Sequence, residues 1–126
     1  MENIYHQNFN SILLVNDNIQ HGGLRTKPNF KNDENNKPLI SIITVVLNGE
    51  KYLEESILSL HNQKFKNYEH IILDGGSTDK TLEIIKKYEN KIDYWCQKKD
   101  KGLYDAFNLG MKLCRGEYLG FLNSDD

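Results

Sequence analysis

The sequence has little of what several function classes require. Only two cysteines, Cys96 and Cys114, occur in 126 residues, both in apolar surroundings and without metal-ligand spacing. They are expected to be reduced core thiols of a cytosolic protein rather than a disulfide or a zinc centre. A basic excess is also missing: 16 Lys and Arg stand against 18 Asp and Glu, a net charge of −2. Nucleic acid is therefore excluded as the main partner. The longest apolar run lies within 39–47, far short of a membrane span. The first residues show no basic leader, apolar core or small-residue cleavage site, so a cleaved secretion signal is not expected. His6, His21, His61 and His70 have no paired spacing and are read as non-ligands.

Three catalytic fingerprints are absent as well. A dinucleotide site wants G-x-G-x-x-G directly after the first strand, but the turn there is Asn48-Gly49-Glu50. Neither a P-loop nor a G-x-S-x-G nucleophile turn occurs anywhere.

What is present is a regular alternation. Residues 1–37 are Asn-rich and aperiodic, and they predict an irregular polar N-terminal extension whose element-forming segment is Ser11–Val15. From Leu39 the run LISIITVVL is β-branched and almost continuously apolar, as in a strand covered on both faces. Residues 50–63 follow with Leu53, Ile57 and Leu60 on one helical face. A second strand is predicted over 68–73, ending at Asp74, and a second helix over 79–88. A third strand over 92–96 leads through a charged loop to a helix over 103–114, with Leu103, Phe107, Met111 and Cys114 on its stripe. Gly116 ends that helix, and the last strand is predicted over 118–122. Strands alternating with helices through short loops predict one α/β domain over 38–126, a mostly parallel sheet with helices on both faces.

In such a sheet the loops after Leu47, Leu73, Cys96 and Leu122 emerge along one edge, where α/β sheets bind ligands. That edge collects Asn48, Asp74, Ser77, Asp79, Asp100, Asp125 and Asp126. Strand-end carboxylates accept hydrogen bonds from ring N–H and hydroxyl groups, and adjacent acids suit a divalent cation. The structural alternatives are equally physical. Asp74 can cap its own loop, Ser77 and Asp79 read first as turn and helix-cap residues, and Tyr94 and Trp95 as core. Lys98, Lys99 and Lys101 suit either a diphosphate or solvent.

Four blocks in order, 39–63, ILDGGSTDKT at 72–81, KDKGLYDAFNLG at 99–110 and GEYLGFLNSDD at 116–126, resemble the nucleotide-binding half of family 2 glycosyltransferases. GGLRTK at 22–27 is similar to the lead-in of some bacterial polysaccharide-type members. The resemblance implies a GT-A fold and a nucleotide-diphosphate sugar donor, with UDP as the expected nucleotide. It implies a base pocket lined by Val45, Val46, Leu47 and Asn48, and a nucleoside contact at Asp74. Asp100, Lys101 and Gly102 would face the ribose and diphosphate, with Asp105 and Asn108 as secondary donor contacts. Asn123 and Ser124 open the D-x-D-type motif, and Asp125, with Asp126 beside it, would coordinate Mg²⁺ or Mn²⁺. Two positions depart from the family pattern: the motif's first acid is Asn123, and Gly75 stands where many members carry a second acid.

The implied activity is hexosyl-type transfer to a glycan or lipid-linked acceptor in polysaccharide biosynthesis, in the cytoplasm or at the inner face of the membrane. The base that activates the acceptor belongs to a half beyond residue 126, so the chain is expected to be a fragment or truncated product and no catalytic base is assigned. Two competing expectations are a non-catalytic α/β module that self-associates through an exposed strand edge, and an unrelated α/β nucleotide-binding regulator.

Overall fold

The computed structural model describes residues 19–30, 37–99 and 103–123, with no side-chain account at 103–105. Ser11–Val15 lies outside the described residues. Five strands form one sheet: β1 (Gln20–Gly22), β2 (Ile40–Val46), β3 (Tyr68–Asp74), β4 (Tyr94–Gln97) and β5 (Tyr118–Phe121). Three α-helices join them: α1 (Leu53–Asn62), α2 (Thr81–Lys87) and α3 (Leu103–Leu113). The spatial order is β1-β4-β3-β2-β5. β2, β3, β4 and β5 are parallel, and only β1 runs antiparallel, against β4.

The continuous apolar run of β2 fits its central place, paired with β3 from Ile40↔Tyr68 to Val46↔Asp74 and with β5 from Ile40↔Tyr118 to Ile43↔Phe121. Both of its faces are covered, which is why alternation is absent from its sequence. On one face Val46, Ile72 and Trp95 pack with Leu53, Ile57 and Ile85 of α1 and α2. On the other, Ile43, Ile71, Leu73, Tyr94 and Cys96 pack with Leu113 of α3. Adjacent residues Ile71 and Ile72 thus serve opposite layers, as a period of two requires.

The stripe of α3 differs from the expected one. Ala106 and Leu113 are buried, whereas Met111 is 48% exposed. The reason is Gly110: a Cβ there would stand 2.9 Å from Ile43 Cδ1, so the helix settles on the sheet at its glycine and Met111 turns outward. Among the described residues no helix is long and apolar enough to cross a membrane.

The lead-in is ordered at 19–30, where the sequence suggested no regular element. β1 pairs with β4 (Gln20↔Gln97, Gly22↔Trp95), and a 3₁₀ turn at Leu24–Thr26 follows. Gly23 makes this possible at φ 103°, pressed against the Ile92 and Asp93 carbonyls, which then accept from Leu24 N and Arg25 N. The turn delivers Arg25 beneath the sheet to Glu69, with 2.5 Å between Nη2 and Oε1. Glu69 is 2% exposed, and its other oxygen accepts from Ser41 Oγ (2.5 Å) and Arg115 N (2.7 Å).

Removing one partner of a buried ion pair leaves an uncompensated charge. Arg25→Ala is therefore expected to lower unfolding free energy by about 3–5 kcal/mol. Pairing Arg25→Met with Glu69→Gln should recover much of that loss, as read by urea unfolding of both variants.

Two titratable groups, buried His70 and half-buried Asp93, pull stability in opposite directions. Burial lowers the His70 pKa to about 4 from 6.5, with its Nε2 2.8 Å from Thr44 Oγ1. A neutral buried His contributes stability above pH 6.5 that is lost as pH falls towards 4. Burial, with the Glu69 charge adding to it, raises Asp93 to about 6 from 3.8. That contribution is present below pH 3.8 and lost as pH rises towards 6. Relative to the unmutated chain, Asp93→Asn is thus expected to gain stability as pH rises from 4 to 6, and His70→Gln as pH falls from 6.5 to 4. Urea midpoints across that range check both slopes.

Candidate functional site

The carboxyl ends of β2 and β3 meet through their following loops. Asn48 takes the left-handed conformation (φ 53°) that ends β2, one that Asn tolerates better than most residues. Its Oδ1 accepts from Thr78 N at 2.8 Å and Asp79 N at 3.3 Å, while its own N–H donates to Ser77 Oγ at 2.8 Å. Gly49 N donates to Thr81 Oγ1 (2.8 Å), Glu50 N to Asp79 Oδ2 (3.2 Å), and Lys80 N returns to Glu50 Oε2 (3.2 Å). Side chains of each loop satisfy backbone N–H groups of the other, so both are fixed without regular structure.

Asp74 is 2% exposed at the end of β3. Its Oδ1 accepts from Gly76 N (3.1 Å), Ser77 N (2.9 Å) and Ser77 Oγ (2.6 Å), and its Oδ2 from Gln97 Nε2 (3.1 Å). The loop-capping role weighed from sequence is real, and it occupies one oxygen fully. Among the described residues the second oxygen has one donor. Ser77 bridges Asp74 and Asn48, and Asp79 accepts from Thr81 N at 2.9 Å and Thr81 Oγ1 at 2.5 Å, the turn and helix-start roles that their residue types suggest.

The expected base-pocket residues divide. Val46 is 2% exposed within the core, with its carbonyl accepting from Gly75 N. Val45 packs half-buried toward α3. Leu47, at 63% exposure, is the apolar side chain that this edge offers to a ligand, with Asn48 beside it. Asn123 follows β5 and is exposed. β2 has β3 on one side and β5 on the other, so the chain reverses its direction of winding at β2. The crevice beyond the ends of β2 and β5 is the switch point at which open α/β sheets bind ligands.

Asp100, Lys101, Gly102, Ser124, Asp125 and Asp126 lie outside the described residues, and Asp105 is described only as backbone of α3. Among the described residues no group of three His, Cys, Asp or Glu could hold a metal ion. Asn108 is half-buried on α3, while Tyr94 and Trp95 are core as expected. Sequence reasoning missed Gln97, placed just past the predicted third strand. β4 runs to Gln97 and sets it in register with Asp74. The signal that could have found it was the polar residue closing the strand beside Asp74.

The model of glycosyl transferase family 2 matches residues 41–126. An uncharacterised glycosyltransferase of Haemophilus influenzae is 43% identical over 94 residues, covering 72% of this chain and 38% of that protein. The chondroitin synthase of Escherichia coli is 41% identical over 92 residues, 71% of this chain and 13% of that one. Among solved structures, S. aureus TarS 1–349 in complex with UDP-GlcNAc superposes with a TM-score of 0.64 at 35% identity, covering 69% of this chain and 26% of that chain. The mannosyltransferase PcManGT of Pyrobaculum calidifontis, in complex with GDP-Man and Mn²⁺, shares the fold alone, with a TM-score of 0.65 at 19% identity over 79% of this chain and 31% of that one. The chain therefore spans between about an eighth and two fifths of the length of these relatives. With a mostly parallel GT-A sheet and a family match over more than half its length, the chain belongs to glycosyl transferase family 2.

Proposed function

We propose that this chain is the donor-binding part of a hexosyl-type glycosyltransferase that moves a sugar from a nucleotide diphosphate, UDP by expectation, to a glycan or lipid-linked acceptor. The observation that carries the reading is the pair of cross-linked loops beyond β2 and β3, which holds Asp74 rigid at the binding edge of a family 2 fold. Asp74 Oδ2 accepts a base N–H, and Leu47 offers apolar surface beside it. Asn123 follows β5 at the same edge, and the acids next to it in the sequence would complete an all-oxygen donor set suited to Mg²⁺ or Mn²⁺. In this reading Asp125, with Asp126 adjacent, holds the cation. Bound there, the cation neutralises charge on the departing diphosphate. TarS bound to UDP-GlcNAc supports a uridine nucleotide, and PcManGT with Mn²⁺ supports a divalent cation on this fold. Calorimetric titration with UDP and Mn²⁺ is expected to show saturable binding; no binding by a chain with an intact circular dichroism spectrum would overturn the reading. Asp125→Ala is expected to abolish the metal dependence of that binding, and unchanged dependence would remove Asp125 from the role.

A second reading is favoured by β5. Tyr118, Leu119 and Phe121 of this edge strand are 63%, 45% and 52% exposed. Unpaired apolar strand edges are templates for pairing with another chain. Self-association through β5 predicts concentration-dependent dimers in sedimentation velocity, and a monodisperse monomer would count against it.

A further inference from the structure

Gln97 stands beside Asp74 at the carboxyl edge of the sheet. Gln97 closes β4 in direct register with Asp74, and Lys98 N donates to the Asp74 carbonyl at 2.9 Å, so the two strand ends are locked side by side. On its other flank Gln97 pairs with Gln20 of β1, so the lead-in strand holds its backbone from the far side. An ionised carboxylate only accepts, so the Gln97 amide must turn its nitrogen to Asp74, as the 3.1 Å contact from Nε2 to Oδ2 has it.

Counting sites then defines what remains. A carboxylate offers about four acceptor positions. Gly76 N, Ser77 N and Ser77 Oγ crowd Oδ1, and Gln97 Nε2 takes one position on Oδ2. Among the described residues Oδ2 has no donor besides Gln97, which leaves it room for a single further one, and an amide nitrogen that gives one N–H to Oδ2 has a second N–H to give to a neighbouring acceptor. One acceptor next to one donor is the complement of a lactam edge, an imino N–H flanked by a carbonyl. Uracil and guanine present that edge. Cytosine and adenine present the inverse, a bare ring nitrogen beside an amino group, which would set lone pair against lone pair at a 2%-exposed carboxylate.

Resting on the nucleotide reading above, we propose that Gln97 is a specificity-determining residue. Together with Asp74 it forms a two-point reader that admits lactam-edged nucleobases and rejects amidine-edged ones. Asp74 alone supplies an acceptor; Gln97 supplies the donor and restricts Oδ2 to one partner.

The test is calorimetric titration of the chain with UDP, GDP, CDP and ADP in the presence of Mn²⁺. Because a well-aligned two-point base contact typically discriminates by roughly tenfold to a hundredfold, UDP and GDP are expected to bind more tightly than CDP and ADP by that margin. Gln97→Met, which removes the donor at similar volume, is expected to weaken UDP by about tenfold and to narrow the UDP-to-CDP ratio by a similar factor. Gln97→Glu, which turns the donor into an acceptor at nearly the same shape, should do the same and stands in if the first variant fails to fold. An unchanged UDP-to-CDP ratio in a folded variant that still binds UDP overturns the role of Gln97 while leaving the nucleotide site intact. Equal binding of all four nucleotides by the unmutated chain also overturns it. Binding of none, with the fold intact, overturns the nucleotide site and this role with it.

Discussion

The carboxylate of Glu69 is the charge around which the sheet is assembled. At 2% exposure its oxygens must find donors within the protein, and those donors come from distant parts of the chain: Arg25 of the lead-in, Ser41 of β2, and the Arg115 N–H after α3. Ser41 in turn accepts from Gly116 N at 2.8 Å, fixing the turn that launches β5. One buried acid thus sets where the lead-in docks, where α3 ends and where β5 begins. Such a cluster adds little net energy over an apolar packing, but each wrong arrangement would leave a buried charge unpaired. Its effect is on which arrangement forms.

The two ends of the sheet are organised by the same chemistry for different purposes. At the amino end the polar groups are buried and close on one another. At the carboxyl end Asn48, Ser77, Asp79 and Thr81 bond loop to loop near the surface, and Asp74 accepts from Gly76 and Ser77 on one oxygen and from Gln97 on the other. Rigidity at a binding edge lowers the ordering cost of association. At this edge backbone N–H groups of each loop are answered by side chains of the other.

Much of this was legible in the sequence because it depends on local pattern. The run from Leu39 to Leu47 could only be a strand covered on both faces, and the alternation after it implied parallel pairing and a binding edge. Three features resisted for a common reason: each depends on a partner remote in sequence. β1 is three residues, Gln-His-Gly, with no period to detect, and it is a strand only because β4 receives it. Glu69 resembles a solvent-facing residue until Arg25, 44 positions away, is placed beneath it. The stripe of α3 differs from the Leu103, Phe107, Met111 and Cys114 pattern because the helix touches Ile43 of β2 at Gly110. At the site, Asp74 caps its own loop as its residue type suggests, and Gln97 acquires meaning only from its register with it.

The short antiparallel β1 has a further consequence for how copies of this fold can meet. Among the described residues it occupies the open side of β4 with three residues, too few to template another strand, so in the self-association reading β5 is the adhesive margin. A contact that joins β5 to β5 uses that margin on both molecules and is closed by a twofold axis. Growth into a fibre would need a second margin of equal length. In that reading the lead-in strand would act as a chain terminator, and strand-mediated assembly would halt at a pair.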